Sequence, residues 1–68
     1  MLTSERQNKI LEFLRRNKTA VVKNLAASFY VSEATIRRDL KEMQAMGLIE
    51  RSHGGAVLPE IAEEVSIF

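Results

Sequence analysis

The stretch VSEATIRRDLKEMQAMGLIERSHGGAVL, residues 31–58, contains the two signals that decide the fold: a well-marked helix and a glycine turn that follows it. Ser32 is a strong N-cap, because its hydroxyl can accept a hydrogen bond from an otherwise unpaired backbone N–H. Val31 and Ile36 have the spacing of a hydrophobic staple around that cap. Gly47 is the expected C-terminal stop. We therefore predict a helix between Ser32 and Gly47.

After this helix the hydrophobic period changes from that of a helix to that of strands. The segments LIERS and AVL are short and extended in character, and HGG joins them. Gly54 and Gly55 both permit the positive φ that a two-residue turn requires, and Pro59 closes the second segment. The pattern predicts a two-stranded hairpin.

Working towards the N-terminus, we predict two more helices. In the first, Ser4 and Gln7 have the spacing of a capping box, an apolar stripe follows, and Asn17 can adopt a left-handed stop conformation. Arg15, Arg16 and Lys18 near its end either complement the helix dipole or contact phosphate. The second is a two-turn helix over KNLAASFY, residues 23–30, without a good side-chain cap. Between them, TAVV is long enough for one small strand.

The element order is therefore helix, short strand, helix, tight turn, helix and hairpin. This order describes a winged helix-turn-helix, a mainly α fold with three helices and a small β-hairpin as the wing. We expect one domain over residues 1–58, with residues 59–68 outside it.

The third predicted helix has one apolar side and one outer side. With Ile36 set at zero and about 100° per residue, Ile36, Leu40 and Met43 cluster within about 60°. The opposite face carries Ala34 near 160°, Arg38 near 200° and Lys41 near 140°. Thr35 and Arg37 flank that outer face. The candidate contacts to DNA on this helix are Ala34, Thr35, Arg37, Arg38 and Lys41.

Small residues at the start of this face allow a close approach to the DNA major groove, where an arginine can bind guanine O6 and N7. Arg38 points directly away from the core, so we expect it to contact a base. Arg37 projects from the side of the helix, so we expect it to contact the DNA backbone. The alternative is a solvated face on which Glu42 is the i,i+4 partner of Arg38. Asp39 borders the core side, and a structural ion pair with a nearby basic residue is expected for it.

The turn of the hairpin is a second candidate contact region. Gly54 lacks a side chain and allows close approach to a phosphate or a minor groove, with Arg51 and His53 beside it. Turn geometry alone also explains the glycines. His53 is the only histidine, so a histidine-based metal site or catalytic relay has no second member.

Composition limits the function classes further. The ten Lys and Arg all lie in residues 1–53 with only six acids, and the remaining segment carries three glutamates without a basic residue. This distribution permits nucleic-acid binding. The chain has no cysteine, and no nucleophile–base pair is evident, so we expect neither an enzyme nor a cofactor. No membrane span or signal peptide is apparent, so we expect a cytoplasmic protein.

Tyr30 departs from the usual pattern of the turn between the second and third helices. That position commonly holds Gly or Asn because the backbone is left-handed there, and a tyrosine with positive φ costs on the order of 1 kcal/mol or more. Either the turn is slightly longer, or Tyr30 is strained and its ring packs.

The same residues resemble the N-terminal signature of the DeoR family of bacterial transcriptional repressors. The matching features are VSEATIRRDL, the Gly-Leu-Ile-Glu-Arg segment and the HGGA of the wing, and the resemblance covers residues 2–58. It implies a winged helix-turn-helix that binds double-stranded operator DNA. Transferred position by position, it implies contacts from Ser32, Thr35, Arg37 and Arg38, and from the wing residues Arg51, His53 and Gly54.

The resemblance also implies features outside this sequence. In the family, the domain precedes a larger C-terminal domain that forms homo-oligomers and binds a phosphorylated sugar as effector, and PEIAEEVSIF is similar to the start of the connecting linker. The expected role is a repressor of sugar-metabolism genes. The alternative is a winged-helix protein-interaction module that does not bind DNA.

Overall fold

The computed structural model of the protein describes residues 2–59, so the predicted linker lies outside the described residues apart from Pro59. Within this range the elements follow the predicted order and confirm a mainly α winged helix-turn-helix. They are α1 (Thr3–Asn17), β1 (Thr19–Val21), α2 (Val22–Phe29), α3 (Glu33–Ala45), β2 (Glu50–Ser52) and β3 (Gly55–Val57).

One core joins all three helices and the sheet. It is formed by aliphatic side chains at the predicted helical spacings together with small residues of the strands. The buried hydrophobic residues are Ile10, Leu14, Ala20, Val22, Leu25, Ala26, Ile36, Leu40, Met43, Ile49 and Ala56. Since α3 packs against α1, α2 and β2, its orientation is fixed on several sides and only its outer face remains open.

The start and the end of α1 differ from the sequence prediction. Leu2, not Ser4, is the N-cap residue, and the Glu5 carboxylate accepts a hydrogen bond from the Leu2 backbone N–H at 3.0 Å. An acid in the first turn also suits the positive end of the helix dipole. At the other end Lys18, not Asn17, has the positive φ of 76°. Asn17 ends the helix differently, because its side-chain amide donates to the Phe13 carbonyl at 3.0 Å.

The cap and the stop of α3 are confirmed. Ser32 Oγ accepts a hydrogen bond from the Thr35 backbone N–H at 3.0 Å. At the C-terminus, Gly47 has φ 79°, and its N–H donates to the Gln44 carbonyl while that of Leu48 donates to Met43. These two bonds form a Schellman motif, which requires a left-handed residue at Gly47.

The hairpin is part of a three-stranded antiparallel sheet with the order β1-β3-β2. The predicted two-stranded hairpin therefore lacked one strand, because β1 pairs with β3, with Ala20 opposite Ala56. Gly54 has φ 76° and lies in the turn with His53, as expected. Gly55 has a different role, because a Cβ on it would lie 1.8 Å from the Ala20 carbonyl oxygen.

Tyr30 holds the left-handed conformation of the helix-turn-helix turn, with φ 58° and ψ 42°. The turn is not lengthened, since α2 ends at Phe29 and the backbone N–H of Val31 still bonds to the Ala26 carbonyl. The ring does not pack either, because Tyr30 is 94% exposed. Packing of the ring therefore does not offset the backbone strain.

Replacing Tyr30 by glycine is expected to raise the free energy of unfolding by about 0.5–1 kcal/mol. Relief of the left-handed strain outweighs the greater chain entropy of glycine in the unfolded state. Thermal or urea unfolding measures the change. Tyr30→Ala removes the exposed ring but keeps Cβ, so it should give no such gain, and equal stabilisation by both variants would contradict the explanation.

Candidate nucleic-acid interface

The outer face of α3 begins at its capped N-terminus. Ser32, Ala34, Arg37, Arg38 and Lys41 are all exposed. The side opposite to this face holds Ile36, Leu40 and Met43, each fully buried. The helix therefore has the two sides that the spacing predicts. Its aliphatic side faces the core, and the side that faces solvent carries a small residue followed by basic residues.

Ser32 and Thr35 form a local hydrogen-bonded pair at the start of this face. Besides accepting from the Thr35 backbone, the Ser32 hydroxyl donates its single proton to Thr35 Oγ1 at 3.0 Å. A serine hydroxyl has one donor and two acceptor positions. Ser32 is therefore occupied as a helix cap, whereas the hydroxyl of the half-buried Thr35 donates no hydrogen bond within residues 2–59.

The acidic residues of α3 each have a partner that lies off the centre of the outer face. The contacts are Glu33 with Arg37 at 3.4 Å, Asp39 with Arg6 in a buried pair, and Glu42 with Gln7 at 2.9 Å. Within residues 2–59, Arg38 and Lys41 form no ion pair. The alternative in which Glu42 binds Arg38 is wrong for this structure, because Gln7 of α1 takes that carboxylate.

The predicted ion pair of Asp39 is confirmed, and its partner is Arg6 of α1. Arg6 Nε and Nη2 donate to the two carboxylate oxygens of Asp39, with the Nη2 bond at 3.0 Å, and Thr3 Oγ1 accepts a further bond from Nη2. Arg6 is 7% and Asp39 1% exposed. This two-pronged contact joins α1 to the middle of α3 and fixes how α3 is rotated about its axis.

The hydrogen bonds from Arg6 to Asp39 raise the pKa of Arg6, against the opposing effect of its burial. A raised pKa means that the folded state favours the protonated guanidinium. The resulting stability is fully present at neutral pH and is lost only as the pH rises through that already high value. The pair is therefore expected to cause no pH dependence of its own through Arg6 near neutrality.

The wing residues are a second, separate set of candidate DNA contacts. Arg51, His53 and Gly54 are exposed. Arg51 Nε donates to the Gly55 carbonyl at 3.3 Å, which holds one nitrogen of the guanidinium next to the turn. The Gly54 carbonyl accepts from the Val22 N–H at 2.9 Å, so the first residue of α2 is tied to the turn of the wing.

A cleft of about 260 Å³ lies between the end of α1, β1 and α2. None of its lining residues is titratable or belongs to α3 or the wing. They are Phe13, Asn17, Thr19, Ala20, Val21, Asn24, Leu25 and Ser28. In the part of the chain that the structure describes, no cluster of three His, Cys, Asp or Glu residues is placed to bind a metal ion.

Across the same part of the chain, no helix combines the length and the apolar character that crossing a bilayer requires.

Three helices with a tight turn before α3 and a β-wing after it define a winged helix-turn-helix, which is a class of DNA-binding domain. The chain belongs to the DeoR family: residues 6–62 match the DeoR-like helix-turn-helix domain.

Several relatives are transcriptional regulators rather than enzymes. The chain is 49% identical over 57 residues to the HTH-type transcriptional regulator GlpR of Haloferax volcanii, covering 84% of this chain and 22% of that protein. It is 45% identical over 56 residues to a putative galactitol utilization operon repressor of Escherichia coli K12, covering 82% and 50%. It is 42% identical over 59 residues to the glycerol-3-phosphate regulon repressor of the same organism, covering 87% and 23%.

The chain thus spans between about a fifth and half of the length of these relatives. No solved structure matches it significantly.

Proposed function

We propose that the domain binds a specific operator sequence in duplex DNA through the outer face of α3, as the DNA-binding part of a transcriptional repressor. The observation that carries this proposal is the pair of exposed cations, Arg38 and Lys41, on the face opposite the buried stripe. Neither has an acidic partner within residues 2–59. Cations that are not neutralised within the protein are available to bases and phosphates.

The order of residues along the helix supports a division of contacts. Ala34 leaves room at the N-terminal end for a base edge, and Thr35 offers a free hydroxyl donor. Arg38, one turn further, has the length to bind guanine O6 and N7 with two parallel hydrogen bonds. Lys41 suits a phosphate, because its ammonium is a compact charge on a flexible stem.

The wing supplies the second set of proposed contacts. His53 and Gly54 form an exposed turn, and Arg51 keeps its terminal guanidinium nitrogens free while its Nε holds the Gly55 carbonyl. Donors of this kind near a bare glycine backbone suit DNA phosphates or a minor groove. The hydrogen bond from Val22 to Gly54 would keep the wing in a constant position relative to α2.

We further propose that the complete protein is a cytoplasmic homo-oligomer that controls genes for sugar or polyol use, and that a phosphorylated sugar releases it from DNA. The names of two relatives refer to galactitol utilization and to glycerol 3-phosphate. The oligomer is proposed because helix-turn-helix proteins commonly bind two half-sites as dimers.

Selection of binders from a random duplex library with the full-length protein tests the proposal. We expect an enriched motif with two related half-sites and an affinity that falls steeply as salt rises, since several cations would displace counterions. Adding candidate sugar phosphates to the selected duplex tests the effector. Recovery of no sequence above background at low salt would reject operator binding and favour a protein-interaction module.

Arg37→Ala is expected to weaken binding to all duplexes by a similar factor and to reduce the log–log salt slope by about one. Arg37 lies on the flank of the outer face and holds Glu33 only loosely, at 3.4 Å with both side chains about half exposed. Its guanidinium can therefore turn to a phosphate at little cost. Binding titrations across a salt series measure both quantities, and a loss confined to the selected sequence would contradict a backbone role.

A further inference from the structure

Glu42 occupies the position from which it could neutralise the proposed base-contacting arginine. It follows Arg38 by four residues, and the two lie about 40° apart around the helix axis. On an isolated helix, oppositely charged residues at this spacing attract each other. In the folded domain the Glu42 carboxylate instead accepts a hydrogen bond from the Gln7 side-chain amide of α1, at 2.9 Å.

Arg6 provides a second attraction in the same direction. The Arg6 guanidinium is fixed by its buried contact with Asp39, one turn before the level of Glu42 on α3. Glu42 also attracts Arg6 electrostatically, which contributes to the raised pKa of Arg6. Two consecutive residues of α1 thus draw the two acids on this flank of α3, Asp39 and Glu42, towards α1.

We propose that Gln7 is a positioning residue for DNA binding: it holds the Glu42 carboxylate against α1 and so keeps Arg38 free for DNA. This inference rests on the proposed function of the outer face of α3. It gives a half-buried glutamine, on a helix that is not the recognition helix, an electrostatic role in binding. Without Gln7, the carboxylate would be free to pair with Arg38 and to lie nearer to the DNA phosphates.

A double-mutant cycle tests this role. Gln7→Met keeps the length of the side chain but removes the donor, and it is expected to weaken binding to the selected duplex by a factor of about 1.5 to 2 at low salt. Glu42→Gln in the Gln7→Met background should recover this loss. Glu42→Gln alone should change the affinity by a smaller factor, because the carboxylate is already held away from Arg38.

Fluorescence anisotropy with the full-length protein and a labelled selected duplex gives the four affinities of the cycle. Gln44→Met is the matched control: Gln44 is an exposed glutamine of α3, and its side chain forms no hydrogen bond within residues 2–59. It should leave the affinity unchanged. Circular dichroism and thermal unfolding establish that each variant remains folded.

If Glu42→Gln changes the affinity by the same factor in both backgrounds, Gln7 does not control Glu42 and the proposal is wrong. An NMR measurement on the protein without DNA tests the same proposal independently. The Arg38 Nε–H resonance should respond to Glu42→Gln in the Gln7→Met background and not in the wild-type background. Equal responses would overturn the inference, whereas failure of the wild-type protein to bind any duplex would instead reject the proposed function.

Discussion

Replacing Asp39 by alanine is expected to lower the free energy of unfolding by about 3–5 kcal/mol, because the change leaves the Arg6 guanidinium buried without its counterion. Asp39 is 1% exposed and accepts both prongs of Arg6. A domain of this size has a total stability of only several kcal/mol. We therefore expect the variant to be largely unfolded at 37 °C, as measured by urea denaturation and circular dichroism.

The double variant Arg6→Met/Asp39→Leu is the informative control. It replaces both charges by apolar groups of similar size, so no uncompensated charge remains, and such replacements are often neutral or stabilising. We expect it to be much more stable than Asp39→Ala. If both variants lost the same stability, the buried charge on Arg6 would not be the cause of the loss.

Arg38→Ala is expected to cost about 1–3 kcal/mol of binding free energy on the selected duplex and to relax the base preference at one position of each half-site. Arg38 is exposed and forms no ion pair within the described residues, so its loss should change the stability by no more than about 0.5 kcal/mol. Binding measured against single-base variants of the selected duplex gives both the affinity and the preference.

Two further variants separate base contact from simple charge. Arg38→Lys keeps the charge but cannot form the two-pronged contact with guanine, so it should recover part of the affinity without the base preference. Lys41→Ala should weaken all duplexes by a similar factor. Retention of full base preference by Arg38→Ala would show that Arg38 is not the base-contacting residue.

The sequence was most informative where structure is determined by neighbouring residues. The Ser32 cap, the Gly47 stop and the direction of Ile36 and Leu40 were all predicted, because each depends on backbone conformation within a few residues. The expectation of an ion pair at Asp39 was also right, since a carboxylate bordering a core needs a partner. Which arginine would serve depended on how α1 crosses α3, and spacing along the chain does not contain that information.

The wrong predictions involved competition between equally good local signals, or contacts distant in sequence. Ser4 is a better cap by residue type than Leu2, but Glu5 supplies the bond to the helix start from within the first turn. Asn17 had a side-chain alternative at the end of α1, and the positive φ is found at Lys18 instead. Gly55 was predicted to be a turn glycine. Its close contact with the Ala20 carbonyl depends on the pairing of β1 with β3, which the sequence did not predict.

The candidate site was located by helical geometry, but its electrostatics were not predictable. The outward direction of Arg38 follows from the position of Ile36. That Glu42 is held by Gln7 does not follow, because an i,i+4 pair on one helix was an equally good expectation for the same carboxylate.

The pairing of β1 with β3 also has a consequence for how the chain folds. Ala20 meets Ala56, so the two strands close a loop of roughly 35 residues, with an entropic cost of roughly 3 kcal/mol plus a constant. Both α2 and α3 lie inside that loop. The contacts among the helices can therefore form over shorter separations and lower this cost before the strands meet. We therefore expect β3 to pair with β1 last, once the helix-turn-helix is already assembled.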